Sequence, residues 1–99
     1  MTRTSTWKSV ERKVAEKLGG VRVGNRGTNS EDVAHDVFSV EVKHRKNLPQ
    51  IVRDSMDQCR RNAPDGKVPL VVLHAANTTR YLCVLDIEDL VQLLEGTEQ

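Results

Sequence analysis

Apolar residues recur through the first twenty positions at helical spacing. Trp7, Val10, Val14 and Leu18, closed by Gly19-Gly20, predict a helix from about Ser5 to Leu18. At about 100° per residue, Glu11 falls about 20° from Leu18, on the border of that stripe. It is expected to point to the interior rim, with Arg12, Lys13 and Glu16 pointing outward. Val21-Arg22-Val23 reads as a short strand and "GNRGTNSE", Gly24 to Glu31, as a polar loop that carries Arg26 between two glycines.

"EDVAHDVFSVEVK" alternates as a β-hairpin does. With His35-Asp36 as a two-residue turn, Ala34 pairs with Val37, Val33 with Phe38 and Asp32 with Ser39. Period-two alternation then puts Asp32, Ser39, Glu41 and Lys43 on one face and Val33, Phe38, Val40 and Val42 on the other. A four-residue loop keeps that parity and a three-residue loop reverses it, so the position of Asp32 depends on the turn.

A second helix is predicted from Leu48 to about Asn62. Pro49 lies near its first turn, Val52, Met56, Cys59 and Ala63 form its buried row, and Gln58 lies on the flank shared with Ile51 and Ser55. "APDG" ends it. "VPLVVLHAA", Val68 to Ala76, has the continuous apolar run of a central strand covered on both faces. "RYLCVLD", Arg80 to Asp86, is a further strand, and Asp86 can cap a last helix bearing Ile87, Leu90, Val91 and Leu94. His74, Cys83 and Trp7 are expected in the core. The order is α-β-β-β-α-β-β-α in a single domain spanning residues 1–99.

At 99 residues with 37% hydrophobic and 3% aromatic content, the chain is a small globular domain with an aliphatic core. The net charge of +1 hides an asymmetry: residues 1–61 hold 13 Lys/Arg against 8 Asp/Glu, and the remainder 2 against 6. The basic part suits a polyanion. Cys59 and Cys83, without a signal segment before them, fit a reducing cytoplasm, and no run approaches the roughly 20 apolar residues of a membrane span. No C-x-x-C or H-x-x-x-H spacing joins the cysteines to His35, His44 and His74 as a zinc site.

"FSVEVKHRK" begins as a strand and ends in positive charge. A phosphodiester resists hydrolysis because its charge repels nucleophiles and its alkoxide leaves poorly. A divalent cation addresses both, and Mg²⁺ takes hard oxygen ligands, often one or two carboxylates plus water and substrate. A lysine two positions after one carboxylate stands on the same face, roughly 7 Å along the strand, where it can hold the attacking water or offset developing charge. Asp32, Glu41 and Lys43 meet that specification.

Asp32, followed after eight residues by Glu41-Val42-Lys43, resembles the D-x(n)-E-x-K core of the PD-(D/E)xK nuclease superfamily, whose fold is called restriction-endonuclease-like. Within it the chain is most similar to small archaeal-type Holliday junction resolvases and related phage nucleases. The matching stretches are "ERKVAEKLGG", "VRVGNRGTNSEDV" and "VEVKHRK", and the likeness spans about Trp7 to His74. The resemblance implies an α/β fold with a mixed central sheet flanked by helices. It implies Asp32, Glu41 and the Val42 carbonyl as metal ligands, Lys43 orienting water, Glu11 assisting through metal-bound water, and Gln58 positioning Lys43 or substrate.

Glu31 precedes Asp32 where the family often has proline, which leaves Asp36 as a rival; Asp32 is favoured because Asp36 sits in the turn. Arg22, Arg26, His44, Arg45 and Lys46 are candidate phosphate contacts, with Arg60 and Arg61 behind them. The implied activity is Mg²⁺-dependent cleavage of branched DNA, with Mn²⁺ as substitute, in a cytoplasmic bacterial, archaeal or phage-infected host setting. The partners are DNA and, because symmetric cleavage of a four-way junction needs two active sites, a second copy of the chain; no membrane is involved. Alternatives are a nicking or other structure-selective nuclease of the same fold, and a non-catalytic DNA-binding subunit. The chain ends soon after its last helix, so the extra recognition elements of larger relatives are expected to be missing.

Overall fold

The structure, a computed structural model, describes residues 3–24 and 31–97. It contains α1 (Arg3–Leu18), β1 (Val21–Arg22), β2 (Val33–Ala34), β3 (Ser39–Val40), α2 (Gln50–Asn62), β4 (Val71–His74), β5 (Tyr81–Val84) and α3 (Ile87–Thr97), in the expected order. The strands form two antiparallel sheets, β1-β2-β3 and β4-β5, in place of the expected mixed sheet. Pairing between strands close in sequence accounts for every ladder among the described residues: β2 joins β3 and β4 joins β5 through short connections, and antiparallel pairs need no crossover. The chain divides into two compact units, Met1–Arg45 and Lys46–Gln99.

In the first unit α1 ends because Gly19 takes a positive φ of 77° while the Gly20 N–H reaches back to the Ala15 carbonyl at 2.9 Å. That six-to-one bond closes many helices at glycine. The most buried positions are Ala15, Glu11 at 2% exposure, and Val33 at 0%. Burying a valine is worth about 1.5 to 3 kcal/mol, so Val33 anchors this small core. Trp7, expected inside, is 41% exposed. The buried stripe is centred on Glu11 and Ala15, rotated from the apolar row by less than the roughly 100° between successive residues.

The small side chains at the end of α1 allow a close approach to β2. A Cβ on Gly20 would meet Val33 Cγ1 at 2.9 Å and the Ala34 carbonyl oxygen closer still. The latter is backbone and cannot swing aside. Gly20→Ala is therefore expected to destabilise the protein by about 1 to 3 kcal/mol. The check is a lower urea midpoint with an unchanged slope.

β1 pairs with β2 as Val21↔Ala34 and Arg22↔Val33, and β2 with β3 as Val33↔Val40 and Ala34↔Ser39. The hairpin loop is four residues, His35 to Phe38, not two. His35 Nδ1 accepts the N–H groups of Val37 at 3.0 Å and Phe38 at 3.3 Å, which curls the chain over a longer span than His35-Asp36 alone. The parity is the one a two-residue turn would have produced. The pairing differs: Ser39 lies opposite Ala34, not Asp32, and Val33 lies opposite Val40, not Phe38.

In the second unit, α2 begins after Pro49, whose carbonyl receives the N–H groups of Val52 at 3.1 Å and Arg53 at 3.2 Å. Met56 is buried, with Val52, Cys59 and Ala63 half-buried along the predicted row. β4 and β5 pair as Val71↔Val84, Val72↔Cys83, Leu73↔Leu82 and His74↔Tyr81. Period two puts Val72, Cys83, His74 and Tyr81 on one face, and all four are exposed. β4 is thus not covered on both faces, and His74 and Cys83 are not core. His74 instead bonds the Thr78 carbonyl at 2.8 Å and stacks on Tyr81 at 4.3 Å.

Arg60 grips Asp86, with Nη2 at 2.6 Å from both carboxylate oxygens and Nε at 3.1 Å from Oδ2, joining the end of α2 to the entry of α3. These hydrogen bonds, followed by the charge of Asp86, raise the Arg60 pKa above its ordinary value. Asp86 also opens α3 through its carbonyl, which accepts the Leu90 N–H at 3.1 Å. Among the described residues, no helix is long and apolar enough to cross a membrane.

Candidate metal and nucleic-acid site

Asp32 leads directly into β2, the central strand of the three-stranded sheet. Its carbonyl accepts the Val23 N–H at 3.0 Å and its own N–H donates to the Val40 carbonyl at 2.8 Å. The carboxylate then does what a ladder carbonyl would do elsewhere: Oδ2 accepts the Val42 N–H at 2.7 Å. The chain bends at Asp32, and the backbone ladder of β2 and β3 stops at the Val33↔Val40 pair. Residues 41–43 therefore lie beyond the strand expected to hold them. The side chain of Asp32 holds their backbone, because a short carboxylate two atoms from the main chain can replace a carbonyl as acceptor.

Glu41 and Lys43 stand on this extension. Lys43 Nζ is 3.7 Å from Glu41 Oε2, and the side chains are 66% and 71% exposed. Such a pair adds about 0 to 1 kcal/mol to stability, so folding does not require it. Asp36, the rival to Asp32, lies exposed in the hairpin loop.

Glu11 is buried as its helical angle implied. Its Oε1 receives Arg22 Nε at 2.8 Å, and the Arg22 side chain is 23% exposed. A buried carboxylate without a partner would cost several kcal/mol, and Arg22 removes that cost. Arg22, expected as a phosphate contact, thus has a structural partner as well; one bond uses one of its five donors.

Six of the expected site residues fall into three pairs: Asp32 hydrogen-bonded to Val42, Glu41 ion-paired with Lys43, and Glu11 hydrogen-bonded to Arg22. Among the described residues, no hydrogen bond or ion pair joins one of these pairs to another. His44, Arg45 and Lys46 are exposed, and Arg45 bonds only the His44 carbonyl, at 3.3 Å, among the described residues. Arg26 lies outside the described residues. Gln58 is exposed on α2 of the second unit, off the buried row as expected. An open groove in that unit is lined by Ile51, Leu73, His74, Arg80 and Leu82 among others, and contains none of the expected site residues.

No cluster of three or more His, Cys, Asp or Glu side chains suited to a metal occurs among the described residues. Magnesium sites often use one or two carboxylates with water completing the shell, so two acidic residues and a backbone carbonyl are a chemically adequate donor set. The donors are hard oxygens throughout, which suits Mg²⁺ or Mn²⁺ and not a thiophilic ion.

Sequence reasoning missed His35. Its Nδ1 accepts two backbone N–H groups, which puts the proton on Nε2, and Nε2 donates to the Leu18 carbonyl at 3.1 Å. The ring also stacks on Phe38 at 5.2 Å. No period or motif marks such a residue; only its contacts do.

Comparison with known proteins finds no matching family model, no matching curated protein and no matching solved structure.

Proposed function

We propose that this chain is a divalent-metal-dependent DNA endonuclease of restriction-endonuclease-like fold, acting on branched duplex DNA with Mg²⁺ as cofactor and working as a homodimer. One observation carries the reading. The Asp32 carboxylate is bonded to the backbone of Val42, between Glu41 and Lys43, so a fixed acidic oxygen lies beside two exposed side chains whose mutual ion pair is worth at most about 1 kcal/mol. The motif order and the basic charge of residues 1–61 agree with it.

When bound, the cation polarises a phosphoryl oxygen and lowers the pKa of a coordinated water. Asp32, Glu41 and the Val42 carbonyl are the groups that would hold it. Lys43, exposed and paired only loosely with Glu41, exchanges that contact for the attacking water or for charge developing on the phosphate. Glu11, with Oε1 committed to Arg22, acts by orienting the guanidinium toward phosphate and not by holding a water in the open. His44 and Arg45, with Lys46 next along the chain, add sequence-independent phosphate contacts whose strength falls with salt.

The test is a cleavage panel of four-way junction, flap, nicked duplex and single strand, with Mg²⁺ and with chelator. Junction cutting that needs the metal is the expected result. Preference for nicked or flapped duplex would move the substrate within the same chemistry, and metal-independent binding without cutting of any substrate would make the chain a DNA-binding subunit.

A further inference from the structure

We infer that His35 is a positioning residue for the proposed metal site: by fixing the length of the hairpin loop it sets the register that places Asp32 against Val42. The inference rests on the nuclease reading for its functional consequence. Its structural half stands on the contacts alone.

The ring works on two sides. Toward the loop, Nδ1 holds Val37 N–H at 3.0 Å and Phe38 N–H at 3.3 Å, and the ring lies on the Phe38 side chain. Toward the helix, Nε2 donates to Leu18, one of the carbonyls that a helix end leaves without an intrahelical partner. The loop is therefore wrapped around the imidazole and tied to the end of α1. The register that follows, Ala34↔Ser39 and Val33↔Val40, brings the Val42 N–H to Asp32 Oδ2.

Both β2 and β3 have only two paired residues each, so few ladder bonds oppose a slip. A slip of one residue turns every side chain of a strand to the other face. The loop contacts of His35 add to the discrimination that these short strands supply only in part.

Substitution separates the two sides. His35→Ala removes both. His35→Asn keeps a side-chain oxygen able to accept the N–H groups two and three residues on, as asparagine does in turns, but is too short to reach Leu18. Two readouts apply to the full chain: hydrogen exchange of the Val42 amide, and Mn²⁺ affinity by calorimetry.

His35→Ala is expected to speed Val42 exchange and weaken Mn²⁺ binding, each by tenfold or more. His35→Asn should restore both to within about threefold of wild type, although it loses the helix tie and so some thermal stability. A structural role without register control would make both variants track thermal stability alone, with Asn no better than Ala at Val42, and that pattern overturns the inference. So does wild-type Val42 protection in His35→Ala. If the wild type itself binds no Mn²⁺, the metal reading fails, while the Val42 amide still decides whether His35 sets the register.

Discussion

Lys43→Ala is expected to lower metal-dependent DNA cleavage by roughly a hundred- to a thousandfold, the loss typical when a group that stabilises charge in the transition state is removed, about 3 to 4 kcal/mol. Stability should barely change. The Lys43 side chain is two-thirds exposed, and its ion pair with Glu41 at 3.7 Å belongs to a class worth at most about 1 kcal/mol. DNA binding should survive as well, apart from the small salt-dependent share of a single phosphate contact. Single-turnover cleavage at saturating DNA, beside a thermal melt and a binding isotherm, separates these effects. Cleavage that persists in a Lys43→Ala, Glu41→Ala double variant would show that the hydrolytic site lies elsewhere.

The largest effect on stability is expected from Arg22→Ala. It leaves the Glu11 carboxylate, 2% exposed, without the guanidinium that now stands 2.8 Å away. Removing one partner of a buried pair typically costs about 3 to 5 kcal/mol, and the partial exposure of Arg22 places this case toward the lower end. Much of that cost is the stranded charge. The Glu11→Ala, Arg22→Ala double variant should consequently be more stable than Arg22→Ala alone, and the cycle of single and double variants measures the coupling. Urea unfolding of the four proteins is sufficient. If the double variant loses as much as the sum of the singles, Glu11 and Arg22 contribute independently and the buried pair does not hold α1 to β1.

Much of this architecture is legible in the chain because its causes are local. Gly19-Gly20 ends α1 at the predicted place since a positive φ there suits glycine. The row Val52, Met56, Cys59 and Ala63 faces inward on α2 because helical spacing alone puts those residues together. Glu11 was legible as an inward residue for the same reason. Its partner was not, since Arg22 lies eleven positions away on another element.

Sequence and structure part where an apolar pattern does not meet an apolar environment. Val72, His74, Tyr81 and Cys83 look like one face of a covered strand, yet that face of the β4-β5 sheet is exposed. A run of apolar residues reports what a strand could bury, not what lies over it. Trp7 fails similarly: the helix settled with Ala15 and Glu11 innermost, because small residues at Ala15 and Gly20 let α1 approach β2 more closely than a tryptophan-centred stripe would allow.

By itself the sequence determined the kinds and order of the eight elements, the helix stops, and the grouping of Asp32, Glu41 and Lys43 within a few residues of one hairpin. These follow from periodicity and turn chemistry, which act over a few positions of chain. Only the tertiary structure decided that the loop is four residues long, that Asp32 bonds Val42, and that Glu11 is committed to Arg22. The physical reason is that two- and four-residue loops leave the same alternation along the strands. Which of them forms depends on where one imidazole ring finds its hydrogen bonds in space.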